Sequence, residues 1–173
     1  MGNFKGDLNR VKTFIFDIDG VLSTQTIPVN SFGLPSRTVN LRDGYAIQLA
    51  VKKGYRVAVI SGGKSKEYIR RLKGLGVSDI YMNSRSKIDH FNHYIGKYSL
   101  NSDEILYMGD DIPDYQVMKS VGIPVCPADA DSEIKQISVY ISDKLGGMGC
   151  VRDVIEQVMR LHNKWLDSDA YNW

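Results

Sequence analysis

The stretch VKTFIFDIDG, residues 11–20, decides the reading of the fold. Val11, Phe14, Ile15 and Phe16 make a short apolar, β-rich run of the buried-strand type. Asp17 and Asp19 follow at its carboxyl end, and Gly20 permits a sharp turn or a close backbone approach. Period two along an extended segment points both acids to one side. In an open α/β sheet, ligands bind in the crevice beyond the carboxyl ends of the strands. Residues 17 and 19 stand where such a crevice would begin.

Outward from this strand the chain alternates. Further strands are predicted over 56–60, 80–82, 104–108, 122–125 and 138–141. Helices are predicted over about 43–53, 65–73, 86–98, 112–120 and 131–136, with a last amphipathic helix running from the glycine-rich loop at 146–149 to about 165. Asp43 is the expected cap of the first of these. Residues 1–10 are expected to form a lead-in turn or helix. Alternation of this kind predicts an α/β fold: a Rossmann-like three-layer sandwich around a parallel central sheet. Between the first strand and first long helix, two β-rich runs flank a turn rich in Asn, Ser, Gly and Pro. They predict a short β-hairpin insertion over about 21–41, too small for a cap domain. The domain is expected to span 1–165, with 166–173 a flexible tail.

The chain has 173 residues, enough for one domain with a real core. With 43% hydrophobic and 24% charged residues it reads as an ordinary soluble globular protein. The net charge of +2 gives no support to nucleic-acid binding. No stretch matches a signal peptide or a membrane span, and Cys126 and Cys150 lack metal-type spacing. A cytoplasmic location is therefore expected. No GxxxxGK[ST] spacing occurs, which disfavours a P-loop.

Three predicted strands end in polar residues: Asp17 and Asp19, Ser61, and Asp110 and Asp111. Lys87 begins the helix after the third strand. A parallel sheet would gather these ends along one edge. Carboxylates there suit Mg²⁺, which takes oxygen ligands and shares phosphate oxygens and water. With a lysine and small donors beside them, they are the parts that stabilise a transferring phosphoryl group. Taken alone, Ser61 would read as a helix cap. Lys64, Lys66 and Arg85 are nearby rivals of Lys87. Asp114 either braces the loop or caps a helix, Arg42 and Arg152 could be salt-bridge residues, and the 146–149 loop could be a linker. His90 and His93 read as surface or packing residues.

In order, FDIDGV, VISGG, Lys87 and GDDIPD resemble the four motifs of the haloacid dehalogenase superfamily. Arg42-Asp43-Gly44 and the late GGMGCVRD resemble segments of its capless branch, the 3-deoxy-D-manno-octulosonate 8-phosphate phosphatase family. The resemblance implies an Mg²⁺-dependent phosphatase in which Asp17 is the nucleophile and Asp19 the general acid and base. Asp17, the Asp19 carbonyl and Asp110 would hold the metal, and Asp111 would support its water shell. Ser61, Gly62 and Lys87 would bind the phosphoryl group. Arg42, Arg152, residues of the hairpin and the residue at Gly63 would face the sugar acid. It further implies a homotetramer in which one subunit's hairpin covers its neighbour's site. The alternatives are a nonulosonate 9-phosphate phosphatase and a non-catalytic regulatory homologue. Many members of the branch carry arginine or glutamate where this chain has Gly63, and alanine where it has Cys150.

Overall fold

The computed structural model describes residues 4–172; residues 1–3 and 173 lie outside that span. The expected lead-in is helix α1 (Phe4–Leu8). The described residues then form strands β1 (Thr13–Phe16), β2 (Arg56–Ile60), β3 (Asp79–Tyr81), β4 (Ile105–Met108), β5 (Ile123–Cys126) and β6 (Tyr140–Ile141). Between and after them run helices α2 (Leu41–Lys52), α3 (Lys66–Gly74), α4 (Lys87–Tyr98), α5 (Tyr115–Met118), α6 (Ser132–Ile137) and α7 (Cys150–Leu161).

The strands make one sheet in the order β3-β2-β1-β4-β5-β6, and every neighbouring pair is parallel. All four residues of β1 are buried, as a central parallel strand requires. Alternation assigns its side chains to two cores. Phe14 and Phe16 pack with Val57, Val59 and the apolar faces of α2, α3 and α7. Ile15 faces the other way, with Ala58, Tyr107 and the apolar residues of α4, α5 and α6. Each fully buried aromatic or aliphatic side chain contributes about 1.5–3 kcal/mol relative to exposure. The predicted three-layer sandwich with a parallel sheet is therefore observed, and no large cap lies over it.

The insertion departs from the expected β-hairpin. Its tip is hairpin-shaped, with Asn30 N–H donating to Leu34 O at 2.9 Å and Ser36 N–H to Pro28 O at 2.8 Å. Yet only the single bridge Val29–Pro35 forms, and neither arm is a strand. Pro28 and Pro35 remove donors that a ladder would need. At the base, hydroxyls do the joining instead: Thr38 N–H donates to Ser23 Oγ and Thr24 N–H to Thr38 Oγ1.

Asp43 does not cap its own helix. Asn40 Oδ1 caps α2, accepting from Arg42 N–H and Asp43 N–H. The buried Asp43 carboxylate instead accepts from Arg152 N–H, 2.7 Å away in the first turn of α7. It thereby pins the start of one helix to the flank of another.

The last helix ends at Leu161 rather than near 165, because Asn163 takes a left-handed conformation with φ 56°. The expected flexible tail folds back instead. Trp165 and Ala170 are buried, and Lys53 pairs with both Asp167 and Asp169. The 146–149 loop is likewise no linker. Gly147 N–H donates to Val21 O at 2.7 Å, and a Cβ on Gly146 would lie 1.9 Å from Gly20 O. Only glycine lets this loop press against the turn that follows β1.

Candidate active site

Chain direction across the sheet reverses at β1, whose neighbours are β2 on one side and β4 on the other. That is the switch point where α/β sheets open a crevice. Phe16 is in register with Met108, so the residues just beyond, Asp17 and Asp110, emerge side by side. They line a cleft of about 1020 Å³ with Asp19, Ser61, Gly63 and Lys87. The structure thus brings together the acids, the serine and the lysine expected from the sequence.

Lys87, the first residue of α4, is buried, whereas Lys64, Lys66 and Arg85 are exposed. Its Nζ lies 3.0 Å from Asp17 Oδ2 and donates to Asp114 Oδ1 at 2.7 Å. Burial works against the ammonium charge, but Asp17 and Asp114 outweigh it and hold the pKa above the usual lysine value. Asp114 also accepts from the Tyr107 hydroxyl and, at 3.3 Å, from Asp110 N–H. Of the two roles open to Asp114, the structure shows the brace.

Burial and mutual repulsion both act on the acids of the cleft. Burial, reinforced by Asp114 and partly offset by Lys87, pushes the Asp17 carboxyl up to about 7. Burial together with Asp17 and Asp114 pushes Asp110 up to about 8, again against Lys87. Carboxylate oxygens of Asp17, Asp110 and Asp114 fall within 4.8 Å of one another. Asp17 Oδ1 is buried without a hydrogen-bond partner. A hard dication fits this donor set. Asp17 and Asp110 are the better ligands, because the Asp114 oxygens are already engaged by three donors.

Ser61 is buried, and its Oγ accepts from Gly63 N–H at 3.1 Å. Asp111 stands at the exposed rim and caps the turn at Ile112 N–H. Arg42 and Arg152 do not line the acidic cleft of this chain. They line a separate groove, where Arg152 pairs with Glu156 and lies over the Trp165 ring. His90 accepts or donates to Ser84 and packs on Tyr81, as expected of a packing residue.

One residue that holds a cleft side chain was not singled out in the sequence. Arg37, from the returning arm of the insertion, grips Asp19 with both Nε and Nη2 at 2.7 Å. Nothing in spacing marks Arg37; the only hint was the glycine at 63, whose missing side chain leaves it room.

A parallel-sheet domain with clustered carboxylates and a buried lysine at its switch point has the parts needed for phosphoryl chemistry with a dication. The family model described as haloacid dehalogenase-like hydrolase matches residues 65–149. The chain is 32% identical to the 3-deoxy-D-manno-octulosonate 8-phosphate phosphatase KdsC of Escherichia coli K12 over 154 residues, covering 89% of this chain and 82% of that protein. It superposes on the corresponding phosphatase of Yersinia pestis with a TM-score of 0.89 at 28% identity, covering 93% of this chain and 87% of the other. The Moraxella catarrhalis phosphatase, solved in complex with magnesium ion, phosphate ion and KDO, also gives 0.89, at 29% identity and 94% coverage of both chains. The chain belongs to the haloacid dehalogenase-like hydrolases. No helix among the described residues is long and apolar enough to cross a membrane.

Proposed function

We propose that this phosphatase hydrolyses a phosphorylated sugar acid, 3-deoxy-D-manno-octulosonate 8-phosphate or a close ulosonate, through a covalent aspartyl phosphate, an acyl phosphate formed on Asp17. The observation that carries the mechanism is the divided state of the Asp17 carboxylate. One oxygen is held by Lys87, while the other is buried at the cleft without a partner. A carboxylate fixed in this way replaces a diffusing water as first attacker, which removes much of the entropic barrier.

In this mechanism Asp17 Oδ1 attacks phosphorus while the sugar oxygen leaves with a proton from Asp19. Asp19 then takes a proton from the water that hydrolyses the aspartyl phosphate. Ser61 Oγ and the Gly62 N–H bind phosphoryl oxygens, and Lys87 neutralises charge on Asp17 and the incoming group. Mg²⁺ held by Asp17, Asp110 and the Asp19 carbonyl would supply Lewis-acid stabilisation of the transferring phosphoryl charge.

The names of the relatives support the substrate class, and we place the reaction in the cytoplasm as a step towards a lipopolysaccharide precursor. The open cleft and the exposed Phe32 and Leu34 at the insertion tip support a tetramer in which each tip covers a neighbour's site. The test is kcat/KM with Mg²⁺ on the eight-carbon ulosonate 8-phosphate, a nine-carbon 9-phosphate and a hexose 6-phosphate. A preference for the eight-carbon acid is expected. Equal rates on the hexose phosphate would defeat the assignment.

A further inference from the structure

The guanidinium of Arg37 reaches the cleft residue Asp19, in the space where a side chain at position 63 would otherwise stand. A Cβ on Gly63 would lie 2.1 Å from Arg37 Nη2 and 3.1 Å from Asp19 Oδ2. The Arg37 side chain is only 6% exposed, whereas that of Asp19 is 40% exposed. All three guanidinium nitrogens are engaged: Nε and Nη2 by Asp19, and Nη1 by Lys64 O at 3.2 Å. A bidentate grip on a carboxylate is the geometry that arginine uses to read carboxylates generally. Here the carboxylate is the protein's own.

We propose that Arg37 is the receptor for the substrate's carboxylate, parked on Asp19 until a sugar acid takes its place. The proposal rests on the sugar-acid reading above and names the residue that enforces it. Exchange of partners does two things at once. It gives the substrate acid a planar, charged partner, and it frees the Asp19 carboxylate to take up a proton from solvent, which it then passes to the leaving sugar oxygen. A neutral sugar phosphate has nothing to offer Arg37, and Asp19 stays occupied. Selection for an acid is thereby built into the chemical step as well as into binding. Gly63 is the second half of the device, since any side chain there would evict the guanidinium. Arg42 and Arg152, the arginines first expected to face the substrate, lie in the other groove of this chain.

The test is the ratio of kcat/KM for the ulosonate 8-phosphate to that for its carboxamide, which keeps the phosphate and removes the acid. Taken on one preparation, this ratio is independent of the folded fraction. Wild-type enzyme should prefer the acid by roughly ten- to hundred-fold, the span of a charged hydrogen-bonded pair. In Arg37→Ala and in Gly63→Leu the ratio should collapse towards one, with Arg37→Lys intermediate. In Arg37→Ala the KM for the acid should rise because its partner is gone, and kcat for the carboxamide should rise because Asp19 is no longer occupied. A ratio that survives Arg37→Ala overturns the proposal and leaves the sugar-acid reading standing, the more so if Arg42→Ala or Arg152→Ala abolishes it. A wild-type ratio near one overturns both.

Discussion

Asp114 Oδ1 lies 2.7 Å from Lys87 Nζ, closer than the 3.0 Å that separates the same ammonium from Asp17. The lysine is therefore seated by a residue that the proposed chemistry never touches, and its position over Asp17 depends on that seat. Asp114→Asn keeps the volume and an acceptor but removes the charge, and should lower kcat about ten- to hundred-fold in a folded protein. Asp114→Ala strips one partner from a buried charge and also orphans the Tyr107 hydroxyl, and should cost about 3–5 kcal/mol. Steady-state kinetics and urea midpoints separate the two effects.

Asp17→Asn should abolish phosphate release while the fold persists. The amide cannot attack phosphorus, and it replaces an acid that burial already disfavours in its charged form. The melting temperature should hold or rise. Substantial turnover by this variant would remove Asp17 from the nucleophile's role.

The crowded acids should make the fold responsive to metal. Saturating Mg²⁺ at a hundred times its dissociation constant would stabilise the folded state by about 2.7 kcal/mol. EDTA should stop turnover and Mg²⁺ restore it. In Asp110→Asn the rise in melting temperature with Mg²⁺ should largely vanish. An undiminished rise would place the ion elsewhere.

Asp43 provides a pH test away from the cleft. Burial raises its carboxyl from 3.8 to about 6, against the hydrogen bonds from Arg152 and Gly149. The folded state therefore holds this proton more tightly than the unfolded chain. The contribution of Asp43 to stability is greatest below about pH 4 and declines as pH rises through about 6. Asp43→Asn should gain on wild type over that window, by up to about 3 kcal/mol at pH 7. Chemical denaturation at pH 4 and pH 7.5 measures the gap, and a gap that does not widen would reject the idea.

Phe32 is 86% exposed and Leu34 59% exposed at the insertion tip. If these side chains are buried by a neighbour, Phe32→Ser with Leu34→Ser should shift the sedimentation profile from tetramer towards smaller species and raise KM. A wild-type monomer at micromolar concentration would contradict the proposed assembly.

The parts of this molecule that follow one-dimensional rules were legible in the sequence. Buried parallel strands are continuous apolar runs, so β1, β2 and β4 and the polar residues that end them could be placed from residues alone. Lys87 followed from the helix start that carries it. What stayed hidden depends on partners distant in sequence. Asp43 has the look of a cap, but its carboxylate serves a helix 109 positions away. Two prolines turned the expected hairpin into a loop held at its base by hydroxyls. The tail looked mobile because Lys53, Asp167 and Asp169 are ordinary surface residues until the chain folds back on α2. Arg37 was hidden for the same reason, since the space that admits it is created by a glycine on another loop.

The contact of the glycine loop with the turn after β1 has a consequence for how the protein is made. Cys150 Sγ and Gly147 N–H both reach Val21 O, and the first of these links spans 129 positions. During synthesis Asp17, the proposed nucleophile, leaves the ribosome long before the segment that buttresses its turn. At about 5–20 residues per second the delay is roughly 6–26 s. A nascent chain carries Asp17 throughout that interval without the wedge that shapes the loop behind it. Catalytic competence thus waits on residues that take no part in the proposed reaction.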